Sequence, residues 1–421
     1  MNAREAAYNA LSAVLREGAY TSLALKKHIP SSFSPEDRHF VSLLLRTTLE
    51  NLIRIDYALH GFIKSGRVHG SVRNILRLGA CQLLFMDTQG YAAVNESVSL
   101  AKKIKPQTSG FVNAVLRALD KGKDKIEYPT GKDAKSLSVQ ASYPEWICEK
   151  YIKDFGYDFA NDLLTYKAPT TTSVRMNALK TDKQTFLDQL QALGLTAENG
   201  HTQDAYAISG LTDIENLDIF SSGRMAVQSE SAMHAVMAVD VKKGDKLLDC
   251  CAAPGGKSAY AAALTENDIA ITAWDVHEHR LDMTRKNYER LGVSHATAEL
   301  HDARVFEPAL EGQFDVVLVD APCSAMGLMS HNPDIRYTRK PEDIESLSKL
   351  QLEILTVCAR YVKQGGTFAY MTCSINKEEN ENVADAFLNK SNVFWYSKPP
   401  ETLYPHQCGS DGFFYAVMRR Q

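Results

Sequence analysis

From Lys243 to Gln421 the chain alternates short apolar runs with long amphipathic segments. The apolar runs are "DKLLDCCA", "IAITAWD", "ATAEL", "FDVVLVDA" and "GTFAYMTC", and segments such as "HEHRLDMTRKNYERLG" and "PEDIESLSKLQLEILTVCARYVK" lie between several of them. This alternation predicts a parallel sheet with crossover helices, because parallel strands need long connections. The last run, "GFFYAVMRR", fits a final antiparallel strand. We therefore expect a Rossmann-like α/β domain over residues 229–421.

The N-terminal part of the chain carries apolar residues at helical spacing and few strand-like runs. We expect a bundle of about five to seven helices over residues 1–128, with Ser34 as an N-cap before Pro35 in the first turn of a helix. A polar stretch, residues 129–145, is predicted to be a linker. Residues 146–228 mix strand-like runs with one helical run, "DKQTFLDQLQALG", which predicts a small α+β module. The fold class is therefore multidomain.

Composition is typical of a globular protein: 44% of the 421 residues are hydrophobic and 23% are charged. No apolar run reaches the roughly 18 residues that a membrane-spanning helix needs, so we expect a cytoplasmic protein with no membrane partner. Eight cysteines are too few for a disulfide scaffold in a chain of this length. The net charge of −4 does not exclude nucleic acid, because a local patch is enough. The basic run in residues 101–125 is either a solvated helix end or a surface that faces RNA.

The stretch "LLDCCAAPGGKSAY" predicts a strand that ends at Asp249, a tight turn and a helix that begins near Lys257. It is neither a GxGxxG motif nor a P-loop. Asp275 ends the next strand, where an acid can bind the hydroxyls of a ribose, and Asp302 follows the third strand, where it suits the amino group of an adenine. One such aspartate alone is more simply a strand-end cap. Three on successive strands, with no pyrophosphate cradle, favour S-adenosylmethionine as the cofactor.

Two cysteines follow the fourth and fifth predicted strands, in "VLVDAPCSAMG" (Cys323) and "YMTCSINKEEN" (Cys373). In a methyltransferase sheet these strands are neighbours about 4.8 Å apart, so both thiols should face one cleft. A single cysteine here would usually be core filler. A zinc site is not expected, because CxxC pairs and suitably spaced histidines are missing, and a cytoplasmic disulfide is disfavoured.

Two thiols and an acid beside a methyl donor suit methylation at carbon 5 of a pyrimidine. Carbon 5 is a poor nucleophile until a thiolate adds to carbon 6, and a carboxylic acid at N3 can stabilise the charge that this addition creates. The methylated base is released when the carbon-5 proton leaves and the thiolate is expelled. The attacking thiol needs a lowered pKa, and the sequence does not show how that is achieved.

Five motifs in residues 225–421 resemble, in order, those of the RNA 5-methylcytosine methyltransferases: "LDCCAAPGGKS", "WDVHEHR", "HDAR", "VDAPCSAMG" and "MTCSINKEENE". The resemblance implies that Cys373 is the nucleophile on carbon 6, that Cys323 assists release of the methylated RNA and that Asp320 holds N3 of the cytosine. It also implies a set of residues that bind S-adenosylmethionine: Cys251, Ala252, Ala253, Pro254, Gly255, Gly256, Lys257, Asp275, Arg280, Asp302 and Asp320.

The resemblance extends upstream. The stretches "LRLGACQLLFMD", "AAVNESVSLAKK" and "GFVNAVLRAL" resemble the helical NusB domain, an RNA-binding bundle, and "PTTTSVRMNAL" resembles a small RNA-binding module in which Arg175 and Asn177 match an R-x-N signature. This domain order resembles the bacterial ribosomal RNA small-subunit methyltransferase B family (RsmB, also called Sun or Fmu). It implies a monomer without metal that methylates a cytosine in small-subunit (16S) ribosomal RNA. The alternatives are the same chemistry on a tRNA or another RNA, and a non-catalytic RNA-binding protein.

One stretch departs from the family pattern. The family usually carries two basic residues before "NPDI" or "HPDI", where this chain has Ser330 and His331 in "LMSHNPDIRY". Basic side chains at these positions would lie near RNA phosphate or the flipped base. Their replacement leaves the predicted catalytic residues intact and affects the expected substrate contacts.

Overall fold

A computed structural model describes residues 1–64, 66, 68–211 and 213–421. The chain forms two compact units. Unit 1 comprises residues 1–166 and 331–339, and unit 2 comprises residues 167–330 and 340–421. The small predicted module and the predicted catalytic domain therefore share one unit. The domain bounds proposed from the sequence stay predictions, but the predicted linker contains a helix, residues 134–141, that belongs to unit 1.

Unit 1 is helical, as its apolar spacing predicts. Its core centres on a helix over residues 70–84, whose buried side chains lie on nearly all sides because neighbouring helices surround it. Ser34 caps the helix that begins at Pro35 by accepting a hydrogen bond from the Asp37 N–H, which confirms the predicted cap. The helices are α1 (Ala3–Glu17), α2 (Thr21–His28), α3 (Pro35–Glu50), α4 (Leu52–His60), α5 (Gly70–Leu84), α6 (Gly90–Ile104), α7 (Ser109–Gly122), α8 (Ala134–Ala141), α9 (Glu145–Phe155) and α10 (Tyr157–Thr165).

Unit 2 begins with the predicted α+β module, an antiparallel sheet in the order β2-β3-β1-β4. Its elements are β1 (Thr172–Met176), α11 (Lys183–Ala192), β2 (Thr196–Asn199), β3 (Ala205–Ser209), α12 (Asp218–Ser221) and β4 (Met225–Val227). Arg175 and Asn177, the residues of the R-x-N signature, are both buried. The Asn177 amide donates to the backbone carbonyls of Gly223 and Leu291, so this residue packs the module rather than facing solvent.

The rest of unit 2 is the predicted α/β domain. All six predicted strands are present, and β5 to β9 run parallel while the last strand pairs antiparallel with β9. The sheet order is β10-β12-β9-β8-β5-β6-β7, with β11 paired to β12. The strands are β5 (Asp245–Asp249), β6 (Ile269–Asp275), β7 (Ala296–Leu300), β8 (Phe314–Asp320), β9 (Val362–Thr372), β10 (Phe394–Tyr396), β11 (Glu401–Leu403) and β12 (Phe413–Arg420).

Helices cover both faces of this sheet over two apolar cores. They are α13 (Glu230–Val239), α14 (Gly256–Leu264), α15 (Glu278–Leu291), α17 (Pro341–Cys358), α18 (Glu381–Lys390) and the short α19 (Pro405–Cys408). The chain leaves β5 toward β6 and β7, and later returns to place β8 on the other side of β5. In open α/β sheets ligands bind at such a reversal of strand order, beyond the carboxyl ends of the strands.

A nine-residue segment between β8 and α17, residues 331–339, belongs to unit 1 and contains α16 (Ile335–Thr338). Asp334 accepts hydrogen bonds from the backbone N–H and the hydroxyl of Thr21. The guanidinium of Arg336 lies 3.8 Å from the ring centroid of Tyr143, a cation–π contact. Residues distant in sequence thus complete the helical unit.

Candidate active site

The carboxyl ends of β6, β5, β8 and β9 lie side by side at one edge of the sheet. They carry Asp275, Asp249, Asp320 and Thr372 as their last residues. Register pairs Asp249 with Ala273 of β6 and Leu318 of β8, and Asp320 with Met371 of β9. The predicted cofactor and cysteine motifs therefore meet at one edge because parallel strands bring their carboxyl ends together.

The predicted cofactor loop, Cys251–Lys257, follows β5 and leads into α14. The Ala252 N–H donates to the Trp274 carbonyl at 2.8 Å, which fastens the loop to β6. Gly255 has a φ of +87°, a conformation that L side chains rarely adopt, and a Cβ there would lie 2.9 Å from atoms of Thr284 and Tyr288. Glycine is therefore required for the loop to turn and to pack against α15.

Asp249 is a buried carboxyl beneath this loop. Its side-chain oxygens have no hydrogen-bond partner among the described residues. Burial raises the pKa of Asp249 to about 7, an effect that the nearby Ser258 hydroxyl only partly offsets. A buried polar group without partners is costly, and a ligand that donates hydrogen bonds would relieve that cost. The site therefore suits a ligand that carries N–H donors or positive charge.

The two predicted acids for the nucleoside lie in different settings. Asp275 is almost fully buried, accepts from the His277 N–H at 3.0 Å and pairs with Arg280 at 3.3 Å. Arg280 also donates to the Ala253 carbonyl at 2.9 Å, so it joins the acid to the cofactor loop. Asp302 is partly exposed and pairs with Arg304 at 2.7 Å, and that hydrogen bond lowers the pKa of Asp302. Both acids flank the carboxyl edge, where the sequence placed them.

The two cysteines lie together, as the strand order predicted. The Sγ atoms of Cys323 and Cys373 are 3.2 Å apart, and both side chains are half-buried. The hydrogen bond to Cys373, together with burial, raises the pKa of the Cys323 thiol well above its usual range. Cys323 therefore remains protonated at neutral pH and can donate a hydrogen bond to the sulfur of Cys373.

A partly buried ion pair joins the predicted cofactor loop to the cysteine region. The Lys257 ammonium lies 2.5 Å from Asp320 Oδ2, and its side chain is only 16% exposed. Burial alone would lower the pKa of Lys257, but Asp320 and, further away, Cys373 outweigh it, so that the pKa is raised. Lys257 is therefore cationic at neutral pH.

The two consecutive residues at the departure from the family pattern are assigned to different units. Ser330 belongs to unit 2, and His331 belongs to unit 1, where its carbonyl accepts from Arg46 at 3.4 Å. The hydroxyl of Ser330 is buried without a hydrogen-bond partner among the described residues. Sequence reasoning did not predict these placements.

Sequence reasoning also missed the residue that lies between the two cysteine turns, Glu379. It sits in the polar run "NKEENEN", yet its side chain is fully buried. A polar run predicts an exposed loop, and no apolar periodicity marks one buried position within it. The signal that was available is the short spacing, six residues, between this acid and Cys373.

A cationic nucleoside such as S-adenosylmethionine fits three features of the site. They are the unpartnered carboxyl oxygens of Asp249, the closely packed loop at Gly255 and the acid Asp275 at the carboxyl edge of the sheet. Across residues 1–64, 66, 68–211 and 213–421, we find no group of three or more His, Cys, Asp or Glu that could hold a metal ion. Within the same residues, every helix is too short or too polar to span a membrane.

Comparison with known proteins assigns the three segments of the chain. A family model described as 16S rRNA methyltransferase RsmB/F matches residues 236–419. The NusB family model matches residues 1–121, and the ferredoxin-like domain of RsmF/B-like methyltransferases matches residues 143–215. The fold is therefore a NusB helical domain, a ferredoxin-like module and an S-adenosylmethionine methyltransferase domain, which confirms the predicted fold class.

Individual relatives cover the whole chain. The probable ribosomal RNA small subunit methyltransferase B of Bacillus subtilis is 35% identical over 99% of this chain and 98% of its own. The ribosomal RNA small subunit methyltransferase B of Vibrio cholerae is 31% identical over 100% of this chain and 98% of its own. The crystal structure of PH0851 superposes with a TM-score of 0.82 at 25% identity, over 99% of this chain and 98% of that one. The chain thus belongs to the ribosomal RNA small subunit methyltransferase B family, as its motifs indicated.

Proposed function

We propose that this protein transfers a methyl group from S-adenosylmethionine to carbon 5 of a cytosine in small-subunit (16S) ribosomal RNA. The observation that carries the proposal is the pair of thiols, Cys323 and Cys373, whose sulfurs are 3.2 Å apart. The Lys257–Asp320 ion pair lies nearby, and Lys257 is the last residue of the predicted cofactor loop. A methyltransferase acting on a nucleophilic oxygen or nitrogen needs no thiol pair, whereas carbon 5 of a pyrimidine needs covalent activation. A ribosomal substrate agrees with the predicted cytoplasmic location.

The attack begins at Cys373. Its thiolate adds to carbon 6 of a flipped-out or unpaired cytosine, and electron density moves through the ring toward carbon 5 and N3. In this proposal Asp320 holds N3, and its bond to the Lys257 ammonium gives the pair a proton to share as negative charge develops. The Lys257 ammonium also places a positive charge in this part of the site, where negative charge develops during the reaction.

Cofactor residues position the methyl donor. Cys251–Lys257, Asp275, Arg280 and Asp302 would hold S-adenosylmethionine, whose sulfonium supplies an electrophilic methyl group. The orphaned carboxyl of Asp249 adds a hydrogen-bond acceptor beneath the same loop. Carbon 5, once nucleophilic, would accept this methyl group, and S-adenosylhomocysteine would leave as the thioether product.

Release requires two further changes at the base. The proton on carbon 5 leaves to solvent, the bond between Cys373 sulfur and carbon 6 breaks, and the ring double bond re-forms. The thiol of Cys323 can donate its hydrogen bond to the departing Cys373 sulfur, which makes that sulfur a better leaving group. Cys323 thus assists release rather than attack.

The two cysteines can be tested separately with 16S ribosomal RNA and S-adenosylmethionine. We expect Cys373→Ala to abolish methylation while cofactor binding persists, since Cys373 makes the covalent bond. We expect Cys323→Ala to accumulate a protein–RNA adduct that migrates slowly on a denaturing gel and disappears with RNase. A Cys373→Ala protein as active as the wild type would remove that cysteine from the attack.

The substrate is tested by bisulfite sequencing of total RNA from cells with and without the gene. Loss of one cytosine signal in 16S ribosomal RNA is expected. Loss of a tRNA signal with ribosomal RNA unchanged would instead assign the same chemistry to tRNA, the alternative raised by Ser330 and His331. Unchanged signals in all RNA would contradict cytosine methylation.

A further inference from the structure

Glu379 is a fully buried carboxylate that lies between the turns carrying the two cysteines. It is located in the segment between β9 and α18. Its side chain accepts five hydrogen bonds: from Ser324 N–H (2.7 Å), Ser324 Oγ (2.5 Å), Ser374 Oγ (2.7 Å), Asn376 Nδ2 (2.9 Å) and Gln351 Nε2 (3.2 Å). Among the described residues, Glu379 makes no ion pair, so these donors alone stabilise the group in the interior.

The donors belong to both cysteine turns. Ser324 directly follows Cys323, and Ser374 directly follows Cys373. The third anchor, Gln351 on α17, also donates to the Pro322 carbonyl at 3.0 Å, so it fixes the residue before Cys323 as well. The Glu379 carboxylate therefore binds the residue that follows each cysteine, and Gln351 links this group to the long helix α17.

We propose that Glu379 is a positioning residue that holds Cys323 and Cys373 at the separation needed for release of the methylated base. This inference rests on the proposed cytosine chemistry. Cys323 can assist the departing sulfur only while the two sulfurs stay at hydrogen-bond distance, and Glu379 sets that distance without touching either sulfur. Hydrogen bonds to an ionised acceptor are stronger than neutral ones, which explains why a carboxylate occupies this place.

Substitutions at position 379 can separate the need for two hydrogen-bond-accepting oxygens from the need for a side chain of this size. Glutamine matches glutamate in volume, but its NH2 group cannot accept a hydrogen bond, and one of the amide donors, Asn376 or Gln351, would then face another N–H group. Aspartate keeps the charge but is one methylene shorter and cannot reach both turns. The fold should tolerate either change, because the backbone carbonyl of Glu379 is held independently by the Tyr370 hydroxyl.

The test compares full-length Glu379→Gln and Glu379→Asp with the wild type. Glu353→Gln is the matched control, since it removes the same charge from an exposed position on the helix that carries Gln351. Three quantities are measured: kcat and KM on 16S ribosomal RNA, the Kd for S-adenosylmethionine by calorimetry, and the alkylation rate of each cysteine with iodoacetamide by mass spectrometry.

We expect kcat to fall about 100-fold in both Glu379 variants, as is typical when reacting groups shift by about 1 Å. The Kd for S-adenosylmethionine should stay at the wild-type value, because none of the five bonds reaches the cofactor loop. The alkylation rate of Cys323 relative to that of Cys373 should change several-fold. The Glu353→Gln control should match the wild type in all three quantities.

Two outcomes would overturn the inference. Wild-type kcat and alkylation rates in Glu379→Gln would show that the carboxylate does not position the thiols. Loss of S-adenosylmethionine binding together with activity would show a general structural role instead. If the wild-type protein itself fails to methylate cytosine, the proposed function fails, and the alkylation ratio still decides whether Glu379 positions the cysteines.

Discussion

Asp249 offers a quantitative test of how the site is built, because its carboxyl is buried, without partners and beneath the cofactor loop. Its pKa rises from 3.8 to about 7 on folding, chiefly through burial. The native state thus binds the proton more tightly than the unfolded state. The stability that this gives is complete below about pH 4 and is lost as the pH rises through about 7.

The magnitude follows from the shift itself. Each pKa unit corresponds to about 1.4 kcal/mol, so the full shift from 3.8 to about 7 amounts to about 4 kcal/mol. Between pH 5 and pH 8 about 2.5 kcal/mol of this is lost, since the unfolded chain is already ionised at pH 5. Asp249→Asn removes the titration. We therefore expect the wild type to lose about 2.5 kcal/mol more than the variant over this range.

The assay is urea unfolding of the cofactor-free protein at pH 5 and pH 8, followed by tryptophan fluorescence. A Trp146→Phe background confines the signal to unit 2, because the remaining tryptophans, Trp274 and Trp395, both lie there. Comparing the two proteins at each pH cancels the titration of the groups that do not interact with Asp249. If the free energies of unfolding of the two proteins change by the same amount between pH 5 and pH 8, burial does not raise the pKa of Asp249.

Three further predictions concern the same edge of the sheet. Gly327→Ala should abolish methylation, because a Cβ there would lie 2.2 Å from the Gly412 carbonyl oxygen and 2.8 Å from that of Cys373; activity close to wild type would contradict this packing. Diamide should oxidise Cys323 and Cys373 to a disulfide and itself be reduced to the hydrazine. Methylation activity should be lost on oxidation and restored by dithiothreitol. Peptide mapping that finds both thiols free after diamide treatment would refute this prediction. Asp275→Ala should raise the Kd for S-adenosylmethionine, measured by calorimetry, at least about 10-fold, as expected when a charged hydrogen bond is lost. An unchanged Kd would show that Asp275 does not bind the cofactor.

Much of the fold was predictable from local patterns. The six strands of the α/β domain were predicted because each is a short apolar run that a helical segment separates from the next. The parallel pairing of β5 to β9 agrees with these long connections, which parallel strands require. The same logic predicted that Cys323 and Cys373 would meet, and their sulfurs are 3.2 Å apart.

Other features were invisible to these patterns. Residues 331–339 lie in the sequence of the catalytic domain but complete the helical unit through Asp334 and Arg336. Their composition is that of an ordinary polar loop, and nothing local indicates the partner. Arg175 and Asn177 matched an RNA-binding module, yet both are buried, because a motif identifies a family and not the direction of a side chain.

The sequence by itself determined the fold class of each part of the chain and which residues were proposed to carry chemistry, since periodicity and motif spacing are local properties of the chain. Only the tertiary structure decided the ionic environment of those residues. The Lys257–Asp320 pair, the orphaned Asp249 and the five bonds to Glu379 each depend on which groups lose water together. Desolvation is a property of three-dimensional surroundings, and for that reason the polarity of the run around Glu379 did not reveal that this carboxylate is buried between the two cysteine turns.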